Sequence, residues 1–175
     1  MIRARMAVLP VLFLLASTAG CGVIDSVVGT FRISVSSKSM EPTLMQGARL
    51  SVRRIDGDHS PRLGDVVVYR APQGWAGITP DALLVSRVIG LPGSTVNCCD
   101  TAGRLHVDGK ALDEPYLAAP PASNRRFDVQ VPPGRLWVMS DNRHIALDSR
   151  AHVTDPGGGT IGISDVDGVV QLARR

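Results

Sequence analysis

From about position 33 onward the chain runs as brief apolar stretches separated by turn-forming residues. Residues 48–53 precede Asp56 and Gly57, Gly64 and Asp65 introduce residues 66–69, residues 83–89 stop at Pro92 and Gly93, and residues 105–107 meet Asp108 and Gly109. Short, β-branched runs bounded in this way predict strands joined by tight turns. The 12 prolines and 18 glycines agree, since both are poorly tolerated inside helices. No repeat of fixed period is visible. Segment 118–126, with two prolines and two arginines, and segment 155–160, with three consecutive glycines, read as mobile surface loops.

The first 21 residues break this pattern: Arg3 and Arg5 precede an apolar run over 6–16, and small residues then lead to Cys21. That is the layout of an export signal. The run is shorter than the ~20 residues a membrane-spanning helix needs, which favours a cleaved signal over a retained anchor. Thr18, Ala19, Gly20 and Cys21 resemble the bacterial lipoprotein signal, with threonine where leucine is usual. Lipid on the Cys21 thiol would hold the protein to the extracytoplasmic face of the bacterial membrane. Ordinary cleavage and a retained anchor are the alternatives. Residues 22–32 then read as a tether, and residues 33–175 as the folded domain.

Composition narrows the class. A chain of 175 residues is long enough for one domain with a real core. A hydrophobic fraction of 44% with 20% charged residues suits a globular protein. Net charge is +3, from 19 basic and 16 acidic residues without a long basic run, so nucleic acid binding is disfavoured and only weak attraction to anionic lipid remains. A monomer is expected. If Cys21 carries lipid, Cys98 and Cys99 remain as an adjacent pair, which can close a strained eight-membered ring or stay as two thiols in a turn. No spacing suggests metal ligands, and no cofactor is implied.

Candidate chemistry centres on Ser39. The run Ser39, Met40, Glu41, Pro42, Thr43, Leu44 resembles the nucleophile box of the signal peptidase I family, whose members use a serine and a lysine in place of a Ser-His-Asp triad. Further segments follow in that family's order: Leu63 with Gly64, Asp65, Val66 and Val67; the heptapeptide RVIGLPG over 87–93; and Asp141, Asn142, Arg143, Asp148, Ser149 and Arg150. The resemblance covers residue 37 to the C-terminus, and actinobacterial members are similar over 95–100, including the cysteine pair. It implies a mainly β fold, an antiparallel barrel-like core with a smaller β insertion at about 93–131, closed by a strand within 162–170. The activity it implies is cleavage of secretory preproteins after small residues.

If the box is a strand, Ser37 and Ser39 point to one side and Lys38 to the other. Ser37 is then either an oxyanion hydroxyl, as the resemblance implies, or a hydrogen-bond donor to a neighbouring strand. Met40 and Pro42 would shape the groove.

A serine hydroxyl needs a base to take its proton. In the family this is a lysine directly before the arginine of the segment matching RVIGLPG, and here that residue is Ser86. The serine that hydrogen-bonds the lysine is replaced by Ala146, and a glycine by Ser140. Base and supporting hydroxyl are thus lost together, while Asp148 and Arg150, a structural ion pair in the family, remain. His144, and less directly His152, are the candidate rescue bases. Three functions follow: a signal peptidase, weak or inactive for want of its lysine; a pseudo-protease that still binds signal peptides by strand addition; or a lipoprotein adaptor with no groove.

Overall fold

A computed structural model describes residues 29–55 and 60–172. The export signal, Cys21 and most of the tether lie outside these residues. Eleven strands follow one another: β1 (Thr30–Ser34), β2 (Arg49–Arg54), β3 (Val66–Arg70), β4 (Leu83–Gly90), β5 (Thr95–Cys98), β6 (Leu105–Val107), β7 (Lys110–Ala111), β8 (Phe127–Gln130), β9 (Arg135–Met139), β10 (Ile161–Gly162) and β11 (Val166–Val170). The expected tether therefore ends early, because residues 30–32 already pair with β2.

Every ladder is antiparallel. A seven-stranded sheet has the order β1-β2-β11-β3-β4-β9-β10, and a four-stranded sheet over 95–130 has the order β7-β6-β5-β8. The larger sheet is open, with β1 and β10 at its edges, where the resemblance implied a barrel-like core.

Strand β3 shows why the sheet forms. Its first four residues, VVVY, are buried without interruption because both faces are covered, and only the terminal Arg70 reaches solvent. Alternate residues go to opposite sides: Val67 and Tyr69 join a cluster with Trp75, Val88, Leu136 and Val138, whereas Val66 and Val68 join one with Val35, Met40, Leu44 and Val52. Ile89, Trp137 and Met139 from the larger sheet share a third cluster with Val96, Leu105 and Val107 from the smaller one. The two sheets meet closely at Gly90, where a Cβ would stand 2.7 Å from Val96 and 2.9 Å from Val131.

The two segments expected to be free surface loops are partly fastened instead. Ala122 and Ser123 are buried. The Ala122 amide donates to Gly103 O, and Arg143 donates to Ala122 O at 2.9 Å. Thr160 is likewise buried, and its carbonyl accepts from Arg135. In both cases an arginine satisfies backbone that would otherwise need water.

Candidate active site

Residues 37–44 form a bend and turns, not a strand. The Glu41 amide donates to Lys38 O at 3.1 Å and the Leu44 amide to Met40 O at 2.8 Å. The turn forms because Met40 and Leu44 bury their side chains in the apolar cluster under β3, which folds the segment back onto the sheet. Strand alternation is therefore not what relates Ser37 to Ser39. The turn nevertheless brings their hydroxyl oxygens to 3.0 Å, and the Ser39 amide donates to Ser37 Oγ at 3.4 Å. Among the described residues, the hydrogen bond found at Ser39 Oγ is the one with Ser37 Oγ.

Ser37 and Ser39 line a cleft of about 470 Å³ together with Ser86, Ser140, Ala146 and Tyr69. Ile33 and Ser34 of β1, Leu83 to Val85 of β4, and Ile145 and Leu147 complete most of its walls. The ladder between β4 and β9 begins only at Arg87, so the first half of β4 pairs with β3 alone and leaves its other edge towards the cleft. Ile145 and Leu147 are more than half exposed, which leaves the cleft with an apolar rim.

Ser86 forms part of the cleft wall and is itself only 3% exposed. It sits opposite Val67 in the β3–β4 ladder, on the face that carries Tyr69, Leu84 and Val88. A hydroxyl on that apolar face needs partners. It has Tyr69 Oη at 3.3 Å and Ser140 Oγ at 3.4 Å, both long contacts. Burial pushes the Tyr69 phenol far up from its ordinary range, so Tyr69 is a neutral hydrogen-bonding group and not a base.

The frame around this cleft is ionic. Arg87 donates from Nε and Nη2 to both oxygens of Asp141, at 2.8 and 2.6 Å, in a pair almost entirely shielded from water. Thr43 Oγ1 donates to Asp141 Oδ2 in a short hydrogen bond. The Asn142 amide donates to Ser39 O at 2.8 Å. β4, the turn that carries Ser39 and the 140–143 segment are thus tied to one carboxylate and its neighbour. Asp148 and Arg150 form a second buried pair at 2.8 Å. Asp148 Oδ2 also accepts from the Ser140 amide, and Arg150 donates to Arg143 O. Arg143 meets Glu114 at 2.5 Å and donates to Ser140 O.

His144 is exposed and lines a separate depression with Asn124, Arg125, Arg143 and Arg150, on the other side of the 145–147 segment. His152 is buried, stacked on Trp75 with ring centroids 4.1 Å apart, and held by Asp155 at 2.7 Å. Neither histidine lines the cleft. Lys38 does, with an exposed side chain, and its carbonyl accepts from Glu41. Cys98 and Cys99 are joined as a disulfide between neighbours at the end of β5. Among the described residues no group of three His, Cys, Asp or Glu side chains is arranged for a metal ion.

Sequence reasoning gave Tyr69 no role, and it quoted Thr43, Arg87, Asp141 and Arg143 without assigning them to one another. The available signal was that three charged residues sat inside segments otherwise destined for burial, where charges survive only when paired.

Three comparisons place these features among known proteins. The family model described as signal peptidase, peptidase S26, matches residues 5–173. The chain is 36% identical over 184 residues to the signal peptidase I of Mycobacterium tuberculosis (strain ATCC 25618 / H37Rv), an alignment covering 79% of this chain and 62% of that protein. It is 39% identical over 118 residues to the probable signal peptidase I-1 of Synechocystis sp., covering 66% of this chain and 59% of that protein. The chain therefore spans less than two thirds of the length of these relatives. The fold is similar to the crystal structure of a signal peptidase I from Enterococcus faecalis, with a TM-score of 0.51 and 26% identity over 65% of this chain and 98% of that one.

Proposed function

The chain belongs to the signal peptidase S26 family, and from that premise we propose that it is an exported, membrane-attached member that holds preprotein segments but turns them over poorly or not at all. Its ligand is an extended, small-residue stretch of a secretory preprotein, seated in the cleft beside Ser39. The observation that carries this reading is the pairing of Ser39 and Ser37 in a cleft whose wall, at the position of the family's lysine, is the buried hydroxyl of Ser86. A hydroxyl cannot accept a proton at neutral pH, and loss of general-base assistance costs on the order of 10²- to 10⁴-fold in rate.

The free edge of the first half of β4 suits recognition by strand addition, with the apolar rim contacting the ligand's side chains. Ser37 Oγ and the Ser39 amide are the natural oxyanion donors, since both stand at the attacking hydroxyl. Attachment to the extracytoplasmic membrane face through lipid on Cys21 completes the reading.

The test incubates the full chain, in detergent, with a model preprotein beside the Ser39→Ala and Ser86→Lys variants. Binding without efficient cleavage is expected from the parent, and cleavage raised by about 10²-fold or more from Ser86→Lys. Efficient cleavage by the parent that vanishes in Ser39→Ala makes it a working protease. Failure to bind preprotein leaves the adaptor instead. Detergent partitioning of Cys21→Ala against the parent tests the anchor, and unchanged membrane association excludes lipid on Cys21.

A further inference from the structure

The hydroxyls of Tyr69, Ser86 and Ser140 come together at a wall of the cleft, and among the described residues no charged group is in hydrogen-bonding contact with any of them. Their mutual distances of 3.3 and 3.4 Å lie at the long end for O–H···O contacts, whose usual separation is about 2.7–2.8 Å. Three buried oxygens held this loosely keep unused accepting capacity. Around them the face is apolar, through Val67, Leu84 and Val88. Ser39 lines the same cleft.

We propose that this hydroxyl cluster is a binding site for a primary alkyl amine, supplied from outside the chain, and that the bound amine serves Ser39 as its base. The proposal rests on the reading that the cleft holds a peptide. The amine comes either as a free small molecule or as a lysyl side chain of the bound peptide.

The chemistry of the cluster selects this ligand. A neutral primary amine brings two N–H donors for the hydroxyl oxygens and keeps one lone pair. The same desolvation that pushes the Tyr69 phenol up acts in the opposite sense on a base, favouring the neutral amine over the ammonium. A neutral amine is the species that can take a proton.

In the first step the amine lone pair takes the Ser39 hydroxyl proton as Oγ bonds to the scissile carbonyl carbon. The resulting ammonium returns that proton to the leaving peptide nitrogen as the C–N bond breaks. A water molecule then attacks the acyl-serine, again giving its proton to the amine, and the proton passes to Ser39 Oγ as the ester opens. The net reaction is hydrolysis of one peptide bond, and the amine is regenerated.

The full chain in detergent is tested with n-propylamine as the probe and 1-propanol as its neutral counterpart. Saturation-transfer NMR should show contact for the amine, weakened in Tyr69→Phe and abolished in Ser86→Leu, with thermal melts confirming that both variants fold. Cleavage of a model preprotein should rise with amine concentration by about 10-fold or more, within the range of general-base assistance. The gain should grow with pH towards the pKa of the free amine, at roughly 10. It should be absent in Ser39→Ala and undiminished in Lys38→Gln.

Peptides carrying lysine at successive positions, assayed without added amine, separate a ligand-borne amine from a free one. Preprotein binding is followed independently by fluorescence anisotropy. No preprotein binding sinks the proposed function, whereas normal binding with no response to either amine source overturns the amine site alone. Basal cleavage that disappears in Lys38→Gln also overturns it, because the chain would then carry its own base.

Discussion

The ionic frame behind the cleft and the hydroxyl cluster in its wall are built from neighbouring residues, yet they differ in kind. Arg87 and Ser86 are adjacent in β4 and point to opposite faces of the sheet. Arg87 makes a two-pronged contact with Asp141, whose carboxylate also accepts from Thr43. Among the described residues, the Ser86 hydroxyl makes two long contacts, both with other hydroxyls. The frame is over-determined: remove one member and a buried charge is stranded. The cluster is loosely held, so removing one oxygen strands little. The frame and the cluster are thus physically separable, although their residues adjoin in one strand.

This contrast is sharpest in stability. Asp141→Ala leaves the buried guanidinium of Arg87 uncompensated and should lower unfolding free energy by about 3–5 kcal/mol in chemical denaturation. Arg143→Met, which strands Glu114 in the same way and also leaves the carbonyls of buried Ser140 and Ala122 without their donor, should likewise cost about 3–5 kcal/mol. Ser86→Ala should cost no more than about 1 kcal/mol, the range for a single hydrogen-bonded hydroxyl. If Ser86→Ala proved as damaging as Asp141→Ala, the separation drawn between frame and cluster would be wrong. Ser39→Ala, at a half-exposed turn position, should stay within about 0.5 kcal/mol of the parent.

The smallest effect expected is one of pH. The Ala76 amide, and after it His152, hold the Asp155 carboxyl below the usual carboxylate range. A depressed folded pKa gives stability that is present above the unfolded value of about 4 and is lost as pH falls through the folded one. Melting temperatures recorded from pH 6 down to pH 2 should therefore fall less steeply for Asp155→Asn than for the parent. Equal slopes would show that these contacts do not favour the ionised carboxylate.

Much of this was legible in the residues. Apolar runs at 48–53, 66–69, 83–89 and 105–107 correspond to β2, β3, β4 and β6. Strands β8 and β9 carried weaker signals, because residues 127–130 alternate over too short a span and residues 135–139 begin with an arginine. The segment around Ser39 was legible as a family motif but not as a shape. Strand alternation was the local expectation, and burial of Met40 and Leu44 beneath β3 replaced it with a turn. His144 was a reasonable candidate base by proximity in sequence, since it is two residues from Ala146. The chain crosses from one depression to the other within those few residues, and that crossing has no signature in sequence.

Composition and motif order by themselves determined the β-rich class and the family, because each depends on residue identity or on neighbours a few positions apart. Only the tertiary structure decided that Tyr69 and Ser140 meet Ser86, and that Arg87 meets Asp141 across 54 positions. The physical reason is that such contacts are set by the register of antiparallel ladders and by burial on a shared face. Both arise from the whole sheet at once, and no single stretch of residues carries them.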